Sequence, residues 1–134
     1  MRLVVDTGVF SAALSRRRRA HFDEEVKHLA GNQLFLAAVT VAELRYGALV
    51  AGWGTSRRAR LEQAIEATTV IPVSDALLTT VAQVRRTCRV VGHPLADRVH
   101  ANDLWVAASA IHIDASLLTA DKIFHDTPGL TVIS

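Results

Sequence analysis

Leu3-Val4-Val5-Asp6-Thr7 opens the chain with an apolar, β-branched run that meets an acid and then a residue suited to start a helix. Such a run reads as a short buried strand, and a strand passing straight into a helix is half of a β–α unit. The same grammar recurs downstream. An apolar strand over 34–38 precedes a helix over 40–51, which Gly52-Trp53-Gly54 breaks. A strand over 70–73 precedes a helix that Ser74 caps and that Gly92-His93-Pro94 stops near residue 90. A helix over 102–113 leads to a strand over 115–119. The turn Asp126-Thr127-Pro128-Gly129 leads to a last strand over 130–133. Further helices are expected over 7–14, 20–30 and 56–67, and residues 92–101 read as a loop or broken helix. Strands alternating with helices predict an α/β fold with a central, mostly parallel sheet of about five strands flanked by helices.

With 134 residues and no repeat, low-complexity stretch or long linker, the chain reads as one domain over 1–134. A hydrophobic content of 50% is enough for a core without staples. Cys88 is the single cysteine, which excludes an internal disulfide and a cysteine-rich zinc site. No apolar run approaches the roughly 20 residues of a membrane span. Asp6 interrupts the N-terminus too early for a signal-peptide core. A cytoplasmic protein with no membrane partner is the expectation.

In a parallel sheet the carboxyl ends of the strands share one edge, where ligands bind. Asp6, Glu43, Asp103 and Asp121 each follow a strand-like run or open a helix. All four would therefore converge on that edge. Carboxylates gathered together repel, by about 4 kcal/mol per pair at roughly 4 Å and an effective dielectric near 20. A cluster of this kind takes up protons or binds divalent cations, which are the working parts of many nucleases. Each acid also has an ordinary structural explanation. Asp6 is placed to cap the helix that starts at Thr7. Thr40-Val41-Ala42-Glu43 matches a capping box, in which the glutamate reaches back to the cap backbone. Asp103 lies in a first helical turn, where the helix dipole favours an anion. Asp121 suits a turn. Thr7 and Thr119, each near an acid, are auxiliary candidates to hold water or cap a turn. Asp97 and Asp126 lie in loops near the pocket edge, and Asp126 is a further auxiliary candidate.

The net charge is +2, but the 15 basic residues are clustered, and all except Lys27 and Lys122 are arginines. Arg16, Arg17, Arg18 and Arg19 form one run; Arg57, Arg58 and Arg60 a second; Arg85, Arg86 and Arg89 a third. These patches could hold a polyanion while the acidic pocket holds metal, with Arg16 to Arg19 slightly favoured for contact with it. The alternative is a solvated surface. The histidines form no metal-ligand spacing, and no phosphate-binding glycine loop or nucleophile elbow is present.

Four segments, in order, resemble the PIN-domain family, and in particular VapC-type toxins of type II toxin–antitoxin pairs. They are Val4-Val5-Asp6-Thr7, Thr40-Val41-Ala42-Glu43-Leu44-Arg45-Tyr46-Gly47, Asn102-Asp103-Leu104-Trp105-Val106-Ala107-Ala108 and Leu118-Thr119-Ala120-Asp121-Lys122-Ile123-Phe124. The resemblance implies a single PIN-like domain and a ribonuclease that depends on Mg2+ or Mn2+. Asp6, Glu43, Asp103 and Asp121 are then both catalytic residues and metal ligands. It further implies hydrolysis of RNA phosphodiester bonds by a metal-activated water, leaving a 5′ phosphate and a 3′ hydroxyl. A cognate antitoxin protein is the implied partner, and a homodimer is open. Val9, Phe10, Ala13, Leu44 and Leu49 are expected to seat an apolar helix of that antitoxin, with Trp53 as anchor; the alternative is that they fill the core. Two rival readings are a receiver-like phosphoacceptor domain, which normally pairs two acids at the first strand, and a non-catalytic RNA-binding module using the arginines alone.

Overall fold

The computed structural model describes residues 1–134. Five parallel strands form one sheet: β1 (Arg2–Val5), β2 (Gln33–Ala37), β3 (Thr69–Ile71), β4 (Ser116–Leu118) and β5 (Val132–Ile133). Their order is β3-β2-β1-β4-β5. The chain therefore winds outward in one direction from β1 to β3, then crosses back to β4 beside β1. The seam between β1 and β4 is the point where the winding reverses, and such seams form crevices at the carboxyl edge.

Seven helices connect the strands: α1 (Thr7–Ala13), α2 (Arg16–Arg19), α3 (Asp23–Lys27), α4 (Ala38–Val50), α5 (Thr55–Glu66), α6 (Asp75–Val91) and α7 (Ala101–His112). Strand residues alternate between two cores, as the pleat requires. Leu3, Val5, Leu36 and Leu118 face α1, α4 and α5, and pack with Val9, Phe10, Val41, Leu44 and Leu61. Val4, Phe35, Ala37, Ile71 and Leu117 face α6 and α7, and pack with Val84, Leu104, Ala107 and Phe124. Burial on both faces is why β1 reads as an unbroken apolar run rather than an alternating one.

Most helix boundaries follow from local chemistry. The Ser74 hydroxyl accepts from the Leu77 N–H at 3.1 Å, a cap that contributes about 1 kcal/mol. Gly92 ends α6 in the left-handed region, at φ +75°. The expected helix over 20–30 is instead a 3-10 turn, Ala20–Phe22, followed by the short α3. Residues 92–101 contain two more 3-10 turns, Pro94–Ala96 and Arg98–His100. The capping-box reading of Thr40-Val41-Ala42-Glu43 is overturned. Helix α4 begins two residues earlier, behind Ala37, so Thr40 is buried inside the helix and caps nothing. Val9, Phe10 and Leu44 are likewise core residues rather than a docking surface, because α1 and α4 turn them onto the sheet. No helix is long and apolar enough to cross a membrane.

Candidate active site

Asp6, Glu43, Asp103 and Asp121 line one cleft of about 520 Å3, together with Thr7, Gly8, His21, Phe22 and Ala120. The fold brings them there from four separate segments. Asp6 follows β1, Glu43 lies one turn into α4, Asp103 lies in the first turn of α7, and Asp121 follows β4.

Asp6 is the most firmly held. It caps α1, with Oδ1 accepting from the Thr7 N–H at 2.8 Å. Its other oxygen, Oδ2, accepts from the Thr119 hydroxyl at 2.7 Å. The capping role is therefore real, and it uses only one side of the carboxylate. Thr119 is buried, and its Oγ1 also accepts from the Asp121 N–H at 3.0 Å. Thr7 Oγ1 donates toward Glu43 Oε1 at 3.2 Å and lies 3.3 Å from Thr40 Oγ1. Glu43 thus reaches across to α1 rather than back to its own helix end. Asp103 Oδ2 lies 3.4 Å from His100 Nδ1, one turn earlier. Asp121 is the most exposed of the four, and its Oδ1 accepts from the Ile123 N–H at 3.0 Å, an ordinary turn bond.

The electrostatics follow first from burial and then from the neighbouring charges. Burial raises the Asp6 carboxyl above its usual range; the Thr119 and Thr7 hydrogen bonds oppose that, and the charges of Asp103 and Asp121 add to it. Burial also raises Glu43; Thr7 and Asn102 work against it, and Asp103 with it. Asp103 is raised by burial and by Asp121, with His100 opposing. Three of the four acids therefore hold protons more tightly than isolated carboxyls do. A cation in the cleft would reverse that. The donors are carboxylate and hydroxyl oxygens, the hard set that suits magnesium or manganese. As the side chains stand, no three acidic, histidine or cysteine groups converge tightly enough to hold an ion.

The other candidates are placed less uniformly. Asp126 lines an adjoining groove with His93, His100, Lys122, His125 and Asp121 rather than the acidic cleft. Asp97 lies in a groove between α6 and α7, beside Arg85, Arg86, Arg89 and Arg98. Arg16 to Arg19 form the exposed helix α2. Arg17 and Arg18 line a groove that shares Thr7 and Glu43 with the acidic cleft, and Arg57 and Trp53 stand farther along it. Arg57 sits over the Trp53 ring at 4.5 Å. Sequence reasoning gave His21, Phe22 and Asn102 no role. Asn102 had a signal, its place beside Asp103; His21 and Phe22 had none, since only the turn after α2 brings them to the cleft.

The β3-β2-β1-β4-β5 order also argues against the receiver-like alternative, whose doubly wound sheet runs 2-1-3-4-5. Comparison with known proteins agrees. Residues 3–130 match the PIN domain family. The chain is 33% identical to ribonuclease VapC5 of Mycobacterium tuberculosis over 128 residues, covering 94% of this chain and 87% of that protein. Its fold is similar to a solved VapBC-5 structure from the same organism, with a TM-score of 0.63 and 27% identity over 98% of this chain and 97% of that one. It is also similar to VapBC2 of Rickettsia felis, solved bound to a DNA fragment from their promoter. That match has a TM-score of 0.77 and 20% identity, covering 99% and 98% of the two chains. The chain belongs to the PIN-domain family, as a VapC-type member.

Proposed function

We propose that the chain is a Mg2+- or Mn2+-dependent endoribonuclease that acts as the toxin of a toxin–antitoxin pair. The observation that carries this is the meeting of Asp6, Glu43, Asp103 and Asp121 in one cleft at the carboxyl edge of the sheet. These four would hold the metal, with Thr7 and Thr119 as auxiliaries. When bound, a divalent cation neutralises the cluster and polarises the scissile phosphate and its attacking water.

The chain's own residues supply placement. Asp6, pinned by Thr7 and Thr119, fixes the floor of the cleft. Thr7 holds Glu43 toward Asp6, and His100 steadies Asp103. Arg17, Arg18 and Arg57 line the groove leading away from Glu43 and would hold RNA phosphates there, presenting one phosphodiester to the acids. Apolar surface beside this groove would receive the antitoxin. Half-buried Trp105 and exposed Leu78, in the groove between α6 and α7, offer surface for a second copy of the chain.

The test is to incubate purified protein with RNA at rising Mg2+ or Mn2+ and to map the new ends. Cleavage with 5′ phosphate and 3′ hydroxyl ends is expected, lost in a variant with Asn or Gln at all four acids. Binding without cleavage at every metal concentration would leave only the RNA-binding module.

A further inference from the structure

His93 sits in the turn that ends α6, where its main-chain N–H donates to the Cys88 carbonyl at 2.7 Å. Its ring makes two defined bonds. Nδ1 accepts from the Leu95 N–H at 3.1 Å. A nitrogen that accepts carries no proton, so the neutral ring bears its proton on Nε2. Nε2 lies 2.8 Å from the His125 carbonyl, an acceptor. It also lies 3.3 Å from Thr127 Oγ1, whose own proton goes to the Phe124 carbonyl at 2.8 Å. One tautomer satisfies every contact.

The His125 carbonyl belongs to the loop that carries Asp121. The near end of that loop is fixed by the Asp121 N–H to Thr119 bond. Its middle is fixed by the fully buried Phe124 ring. Beyond it, the His125 carbonyl meets His93 before the chain runs on into β5, which pairs with β4. The cleft wall that holds Asp121 is thus clamped from both sides, once by β4 and once by the turn after α6.

We propose that His93, as its Nε2–H tautomer, is a positioning residue for Asp121, acting through the His125 carbonyl; this rests on the reading of Asp121 as one of the acids required for cleavage. It accounts for a histidine outside the acidic cleft that lines the adjoining groove with Asp121.

Long-range 1H–15N spectra of the labelled wild-type protein should show His93 with a proton on Nε2 and none on Nδ1. The opposite tautomer overturns the proposal. His93→Phe is expected to lower kcat for RNA cleavage by about 10- to 100-fold, to leave KM unchanged, and to shift the amide resonances of Ile123 and Phe124. His93→Gln retains an N–H donor of similar reach and should recover part of kcat. Wild-type kcat in both variants, or Gln no better than Phe, overturns the proposal. If His93→Phe does not fold, the wild-type ring spectrum and the kcat of His93→Gln decide. Asp121→Asn is measured alongside. Wild-type cleavage by that variant removes Asp121 from the chemistry, whereas the tautomer and the amide shifts still report whether His93 grips the loop.

Discussion

The Thr119 hydroxyl donates to Asp6 Oδ2 at 2.7 Å, tying together residues 113 positions apart across the β1–β4 seam. The same oxygen accepts from the Asp121 N–H. One buried hydroxyl therefore sets the place of two acids, and it stabilises the ionised form of Asp6 against burial. Thr119→Val keeps the shape and removes both bonds. It should raise the Asp6 carboxyl further and move the acid limb of the cleavage pH profile upward. Leaving these partners unsatisfied also costs about 1–3 kcal/mol of stability. Thr119→Ser should restore the profile. An acid limb that stays put in the valine variant would show that this bond does not govern Asp6.

Asp103→Asn is expected to keep the fold, since Asn is tolerated at helix starts, and to abolish nearly all cleavage. It should also stabilise the metal-free protein at neutral pH. Asp6, Glu43 and Asp103 bind protons more tightly in the fold than in the unfolded chain. Above the ordinary carboxylate range, near about pH 4, the native state then holds more protons, so stability falls as pH rises toward the raised values. Removing one charge should flatten that fall. Melting temperatures of the two proteins across the pH range without metal provide the measurement; parallel curves would mean that Asp103 does not hold its proton more tightly in the fold than in the unfolded chain.

Magnesium or manganese should raise the melting temperature, because an ion that binds only the native state stabilises it by mass action. The gain is about 2.7 kcal/mol at a hundredfold excess over Kd. An Asp6→Ala/Asp121→Ala variant should lose most of this response. Equal shifts in both proteins would place the ion elsewhere.

Replacing Arg16 to Arg19 with Gln should weaken RNA binding and flatten its salt dependence, by about 0.7 in slope for each phosphate that an arginine no longer neutralises. Arg17 and Arg18 should account for the effect, because they line the groove that meets Glu43. An unchanged slope in a salt titration returns the run to solvated surface.

Residues 3–5 announced a buried parallel strand because both faces of β1 are covered, and that one feature carries the sheet. The convergence of the four acids was legible for the same reason, since parallel strands put their ends on one edge. What was not legible depended on how distant segments meet. Thr40 looks like a cap locally, but β2 passes into α4 without a break, so the helix starts at Ala38 and frees Glu43 to meet Thr7. The apolar character of Val9 and Leu44 is plain in the sequence; which way their helices turn is not. The tie between His93 and His125 joins two turns 32 residues apart, and no spacing rule announces it.

Exposure, rather than composition, marks a candidate docking surface for an antitoxin. Tyr46, Leu49 and Val50 are 69%, 66% and 68% exposed, at helical spacing on α4. Trp53 lies just beyond, in the groove that runs to Glu43. An apolar helix of a partner could cover this stripe, and aromatic anchors such as Trp53 often dominate such interfaces. From there a basic side chain would reach the acids and supply the charge that the cation otherwise provides. Co-expression with the small open reading frame beside the gene should give a stable complex that no longer cleaves RNA. Leu49→Asp and Trp53→Ala should release the partner, and Leu49→Asp, which lies outside the arginine-lined groove, should leave cleavage by the chain alone intact. If the neighbouring product binds both variants as it binds wild type, the stripe is not the docking surface. If it neither binds nor inhibits the wild type, and the chain is harmless when induced, the toxin reading fails even where the nuclease survives.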